Sequence, residues 1–123
     1  TRDFTYVSDL VDGLLRAGFF DAAIGQEFNL ASAVETRIRD LAEMVNEATG
    51  NAAGIRTLQR RKWDTKSRLL ASVDRARELV GYHPEKAFAD GLAATVSWFR
   101  ENWDHIEQSA SFAPGMSSAV RDR

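Results

Sequence analysis

The sequence predicts a small α+β domain in which helices dominate and strands are short. Three observations carry this. Apolar residues recur at helical spacing in four separate stretches. The β-branched and aromatic runs between them are only three or four residues long. They are too short and too few to build a long parallel sheet.

The elements follow in order. Residues 4–7, rich in aromatic and β-branched side chains, predict a brief strand. Ser8 is suited to cap the next helix, and Asp9 in its first turn suits the helix dipole. Leu10, Val11, Leu14 and Leu15 form that helix's apolar face, and Gly18 lies near its end. A turn at residues 25–27 leads to a second expected strand, residues 28–30. Thr36 is an expected cap for the helix marked by Ile38, Leu41, Ala42, Val45 and Ala48. Gly50 and Asn51 supply its stop. Residues 55–58 alternate apolar and polar, predicting a half-buried third strand. Ser72 can cap a short helix faced by Val73, Ala76, Leu79 and Val80 and ended by Gly81. After the turn at Pro84, Phe88, Leu92, Val96 and Phe99 mark a last helix, extended by Trp98, Trp103 and Ile106. Residues 1–107 are read as one domain and 108–123 as a flexible tail.

Composition narrows the function. At 123 residues the chain holds one domain at most. Apolar residues at 44% and charged residues at 28% are ordinary for a globular protein. A net charge of -2 argues against nucleic acid as a partner. The absence of cysteine excludes disulfides and thiolate chemistry and fits a cytoplasmic protein. No apolar run approaches the roughly 18 residues of a membrane span. His83 and His105 lack metal-ligand spacing, so no metal site is expected.

Five segments in order carry a resemblance. The first is Arg-Asp-aromatic-x-Tyr-Val-x-Asp at residues 2–9. The second is the Phe-Asn-Leu-Ala-Ser run at 28–32, with the capped helix start at 36–42. The third is Arg60-Arg61-Lys62-Trp63-Asp64, and the fourth the stretch 71–84, a helix ending in Val-Gly-Tyr-His-Pro. The last is the helix opening at 88–99. Together they resemble the C-terminal, substrate-side part of the extended short-chain dehydrogenases/reductases, which include NAD-dependent nucleotide-sugar epimerases, dehydratases and decarboxylases. The Gly-rich turn of a Rossmann phosphate loop does not occur. Neither Tyr6 nor Tyr82 is followed four residues on by the lysine of that family's Tyr-x-x-x-Lys pair. The resemblance therefore implies a domain lacking the Rossmann domain, with no catalytic residues and no cofactor of its own; NAD belongs to the parent family.

What it implies for this chain is a substrate site. Arg2 and Arg61 would hold the diphosphate of a nucleotide sugar, and Asp64 would orient Arg61 or cap its loop. Guanidinium groups give bidentate, charge-assisted bonds to phosphate. Trp63 stands where the family's Arg-x-Gly-Asp loop has glycine. The bland alternatives are that Asp3 and Asp9 make local caps and that the basic stretch 56–68 is a solvated face. Without a Rossmann partner, the Leu-rich first helix and aromatic-rich last helix would expose apolar surface, as would Phe4 and Val7. A homodimer or larger oligomer is then expected. A competing reading is a stand-alone oligomeric interaction module that keeps the fold without catalysis or nucleotide-sugar binding.

Overall fold

A computed structural model describes residues 1–59, 62 and 65–110. The expected α+β class holds: among the described residues there are four helices and one two-stranded ribbon. Strand β1 is Arg2–Asp3 and β2 is Glu35–Thr36. They pair antiparallel, with Arg2 opposite Thr36 and Asp3 opposite Glu35. The helices are α1 (Val7–Phe19), α2 (Ile38–Thr49), α3 (Asp74–Val80) and α4 (Phe88–Ala110). A 3₁₀ turn, Asp21–Ala23, follows α1.

All four predicted helices form, but the three predicted strands do not. Residues 4–6, 28–30 and 55–58 are extended or irregular without a ladder partner among the described residues. A strand exists only where another backbone meets its N–H and C=O groups, so a β-favouring composition alone does not make one. The ribbon forms instead where residues 2–3 meet residues 35–36. Helix α4 continues through residues 108–110; the rest of the expected tail, 111–123, lies outside the described residues.

The helix starts differ from the expected caps. Tyr6, not Ser8, is the N-cap of α1, and its carbonyl accepts from the Asp9 and Leu10 amides at 3.1 and 3.2 Å. Thr36 is taken up by β2, so Arg37 precedes α2 without a side-chain cap. Val73, not Ser72, is the N-cap of α3; Ser72 lies one residue earlier, accepting from the Asp74 amide at 3.3 Å and donating to its carboxylate at 2.8 Å. The stops are as read. Gly50 is left-handed, at φ 69°, with the Asn51 amide bonded back to Asn46 O at 2.9 Å. That is the Schellman arrangement, which satisfies carbonyls the helix leaves open.

The core is small and centres on Tyr82. Among the described residues, Tyr82, Val73, Val80, Ala76 and Ala31 are the buried apolar side chains, with Phe28, Leu30 and Leu79 partly buried against them. Helix α1 crosses this cluster at Gly13. A Cβ there would lie 2.6 Å from Leu30 Cδ2 and 3.0 Å from Tyr82 Cδ2, so the close approach needs glycine. Arg16 fastens α1 to the end of α3: its guanidinium donates to Gly81 O at 3.1 Å and pairs with Asp12 at 2.7 Å. Cationic side chains at a helix C-terminus complement its dipole. Helices α2 and α4 make a second layer, and Arg100 donates to Ala48 O at 2.9 Å.

Much apolar surface stays open. Val7, Val11, Leu14 and Leu15 of α1 are each about half exposed, as are Trp98 and Phe99 of α4. Trp98 and Phe99 cover one another edge-to-face at 5.3 Å. Phe4 finds its neighbour within the chain, its ring 5.4 Å from that of Phe88. Val7, in contrast, is open to solvent.

Candidate functional site

The polar side chains gather at one corner, where the ribbon meets residues 66–71. Arg2, at the start of β1, donates from Nη1 to Thr1 O at 2.7 Å and to Lys66 O at 3.3 Å. The Thr1 amino group donates to Ser67 O at 2.7 Å, and the Leu69 amide donates back to Thr1 O at 3.2 Å. The basic stretch thus returns to the strand that carries Arg2. Arg61 and Asp64 lie outside the described residues.

Asp3 is the hub of the corner. Its carboxylate accepts from Ser32 N at 3.0 Å, Ser32 Oγ at 2.5 Å, Ala33 N at 3.0 Å and Ala71 N at 3.5 Å. A carboxylate is an acceptor with room for several donors, which suits it to join chain segments. Three segments meet on this one side chain: β1, the turn at 32–33 and the entry to α3. The turn needs the support, because Ala33 sits in the left-handed region at φ 57°. A non-glycine residue there carries strain that its surroundings must hold. Asp3 therefore joins segments distant in sequence instead of making the local cap expected of it, and Asp9 does likewise. Asp9, buried, accepts from the Lys86 backbone amide at 3.0 Å.

Glu35, opposite Asp3 in the ribbon, makes an ion pair at the corner. Both of its carboxylate oxygens accept from Arg68 Nε, at 2.8 and 2.9 Å, and the Thr1 hydroxyl donates to the same carboxylate. The Arg68 hydrogen bond, then that from Thr1, draws the Glu35 carboxyl down to about 2. The same pairing pushes Arg68 up. Neither Glu35 nor Arg68 was singled out by the sequence, and nothing local marks them: they lie 33 positions apart. Arg68 could be seen only as one member of a basic run.

Beside the corner is a cavity of about 220 Å³ between Phe4, Tyr6, Lys86, Phe88 and Leu92. Lys86 Nζ lies over the Tyr6 ring, 5.6 Å from its centroid, within cation–π range. A larger cleft of about 780 Å³ separates α2 from α4, lined by Val45, Val96, Phe99, Arg100 and Trp103. Among the described residues no group of His, Asp and Glu is disposed to hold a metal, and no helix is long and apolar enough to cross a membrane.

The fold has solved counterparts. An epimerase from Methanothermobacter thermautotrophicus superposes with a TM-score of 0.84 at 45% identity, over 87% of this chain and 32% of that one. The Bordetella bronchiseptica enzyme WbmF, solved with NAD+ and UDP, superposes with a TM-score of 0.71 at 35% identity, over 87% and 32%. In sequence, UDP-glucose 4-epimerase of Mycolicibacterium smegmatis is 39% identical over 100 residues, 81% of this chain and 31% of that protein. A UDP-N-acetyl-alpha-D-glucosaminuronate decarboxylase of Bacillus cytotoxicus is 28% identical over 114 residues, covering 82% and 33%. No protein-family model matches.

These likenesses define a class, nucleotide-sugar enzymes, of which the chain matches the C-terminal portion. The match is consistent with the C-terminal part of an extended short-chain dehydrogenase/reductase, and the chain spans about a third of the length of the relatives it matches.

Proposed function

We propose that this chain forms the substrate side of a nucleotide-sugar enzyme, taking the sugar nucleotide's diphosphate between Arg2 and Arg61, with Asp64 orienting Arg61. The carrying observation is the stitching of residues 66–69 to residues 1–2, since residues 66–69 follow closely on Arg61 in sequence. A relative solved with NAD+ and UDP supports the ligand class. Residues 1–107 act as this substrate domain. The chemistry of the reaction, and the NAD it uses, belong to a Rossmann domain outside this sequence, which holds neither a Gly-rich phosphate loop nor a Tyr-x-x-x-Lys pair. On its own the chain binds but does not turn over, in a cytoplasmic setting.

Calorimetric titration with UDP and UDP-glucose tests the reading. Saturable binding is expected. It should be lost in Arg61→Ala and weakened about tenfold or more in Arg2→Ala, the usual effect of removing a charge-assisted bond. A flat titration of the unmodified protein overturns it.

A second reading, an oligomeric module without ligand, draws on the open apolar face of α1 and the exposed Trp98–Phe99 pair. Contiguous apolar surface of this kind is commonly covered by association. Light scattering at micromolar concentration should report a homodimer; a monomer removes this reading.

A further inference from the structure

We propose that Glu35 is a positioning residue of the diphosphate site, its ion pair with Arg68 latching residues 66–69 onto β2, the strand paired with the one that carries Arg2. The inference rests on the nucleotide-sugar reading for its ligand and on the corner's geometry for its latch.

Residues 65–71 have no helix or strand of their own. Their path is set by bonds to other segments. Backbone groups of Lys66, Ser67 and Leu69 bond to Thr1 and Arg2, and the Ala71 amide bonds to Asp3. Among the described residues, one bond from this stretch joins side chain to side chain, and it is Arg68 to Glu35. Glu35 is itself fixed by the ribbon, directly across from Asp3 and one residue from the partner of Arg2. The carboxylate also takes the Thr1 hydroxyl, so a single side chain holds the start of the chain and the far end of the basic stretch.

Exposure separates this role from a merely structural one. The Arg68 side chain is 63% exposed and that of Glu35 29%. Ion pairs this open to solvent contribute little to folding stability. The buried cluster around Tyr82 includes neither residue. The latch instead removes freedom that a ligand would otherwise have to remove on binding, and such preorganisation appears in affinity.

Glu35→Gln keeps the side chain's size and removes its charge, and Glu35→Arg combined with Arg68→Glu reverses the pair. Three readouts are taken on the full chain: UDP affinity by calorimetry, amide hydrogen exchange at Leu69, and thermal midpoint. In Glu35→Gln, Leu69 exchange should accelerate and UDP affinity fall about three- to tenfold, with the midpoint moving by no more than about 2 °C. The reversed pair should restore Leu69 protection. Unchanged exchange in Glu35→Gln overturns the latch. Unchanged affinity, where the unmodified protein binds UDP, overturns the positioning role. Absence of binding by the unmodified protein instead overturns the nucleotide-sugar reading, while the exchange data still decide whether the latch exists.

Discussion

The Tyr82 hydroxyl donates to the Ala31 carbonyl at 3.1 Å, and the tyrosine has no solvent-exposed surface. This one side chain joins the segment after α3 to the turn before β2. Tyr82→Phe leaves the Ala31 carbonyl without its donor and should cost about 1–3 kcal/mol. Tyr82→Ala, which also opens a cavity, should cost about 3–5 kcal/mol. Urea unfolding followed by far-UV circular dichroism measures both.

The same tyrosine should make the fold sensitive to alkali. Burial, followed by the nearby Asp9, Asp3 and Asp12 carboxylates, pushes its hydroxyl above the ordinary value of 10.0. The folded state therefore holds the proton longer than the unfolded chain. Stability from this group is complete below pH 10 and is lost as pH climbs through the raised value. In Tyr82→Phe that part of the alkaline loss should vanish, which parallel melts from pH 9 to 12 would reveal.

Gly13 should tolerate no side chain. Gly13→Ala places a methyl group against Leu30 and Tyr82. Leu30 can turn aside, but the Tyr82 ring is locked by its own hydrogen bond. The expected loss is about 1–3 kcal/mol, despite the better helix propensity of alanine. Gly18, with no atom near its Cβ position, is the control: Gly18→Ala should be neutral or stabilising.

Glu35 should titrate unusually low. Its pairing with Arg68 holds the carboxyl near 2 instead of 4.5. A depressed carboxyl contributes its stabilisation above about pH 4.5 and loses it as pH falls toward 2. The corner should therefore be insensitive to pH at neutrality and loosen only in acid. Carbon-detected NMR of the Glu35 carboxyl gives the midpoint directly. Arg68→Ala should move it upward toward the ordinary range; an unmoved midpoint would assign the shift elsewhere.

The parts of this fold that were legible in the sequence are those decided locally. Apolar stripes at helical spacing located all four helices, because a helix satisfies most of its own backbone bonds. Gly50 and Gly81 marked stops, because left-handed backbone at a helix end favours glycine. Strands were not legible. Residues 28–30 and 55–58 have suitable side chains, yet pairing depends on which distant backbone arrives, and it arrived at Glu35 and Thr36. Arg2 stood out because its Arg-Asp motif is contiguous. Glu35 and Arg68 did not, since their relation is created by the fold.

The geometry of the corner has a kinetic consequence. Asp3 reaches Ser32 across 29 positions and Ala71 across 68, while Arg2 reaches Lys66 across 64. Helices α1 and α2 can form from neighbouring residues, but these bonds must wait until most of the chain has collapsed. The two-residue ribbon is thus expected to close late in folding and to be among the first parts to open. Its bonds through Asp3 to Ser32 and Ala71, which adjoin the cluster around Tyr82, couple that opening to the edge of the core.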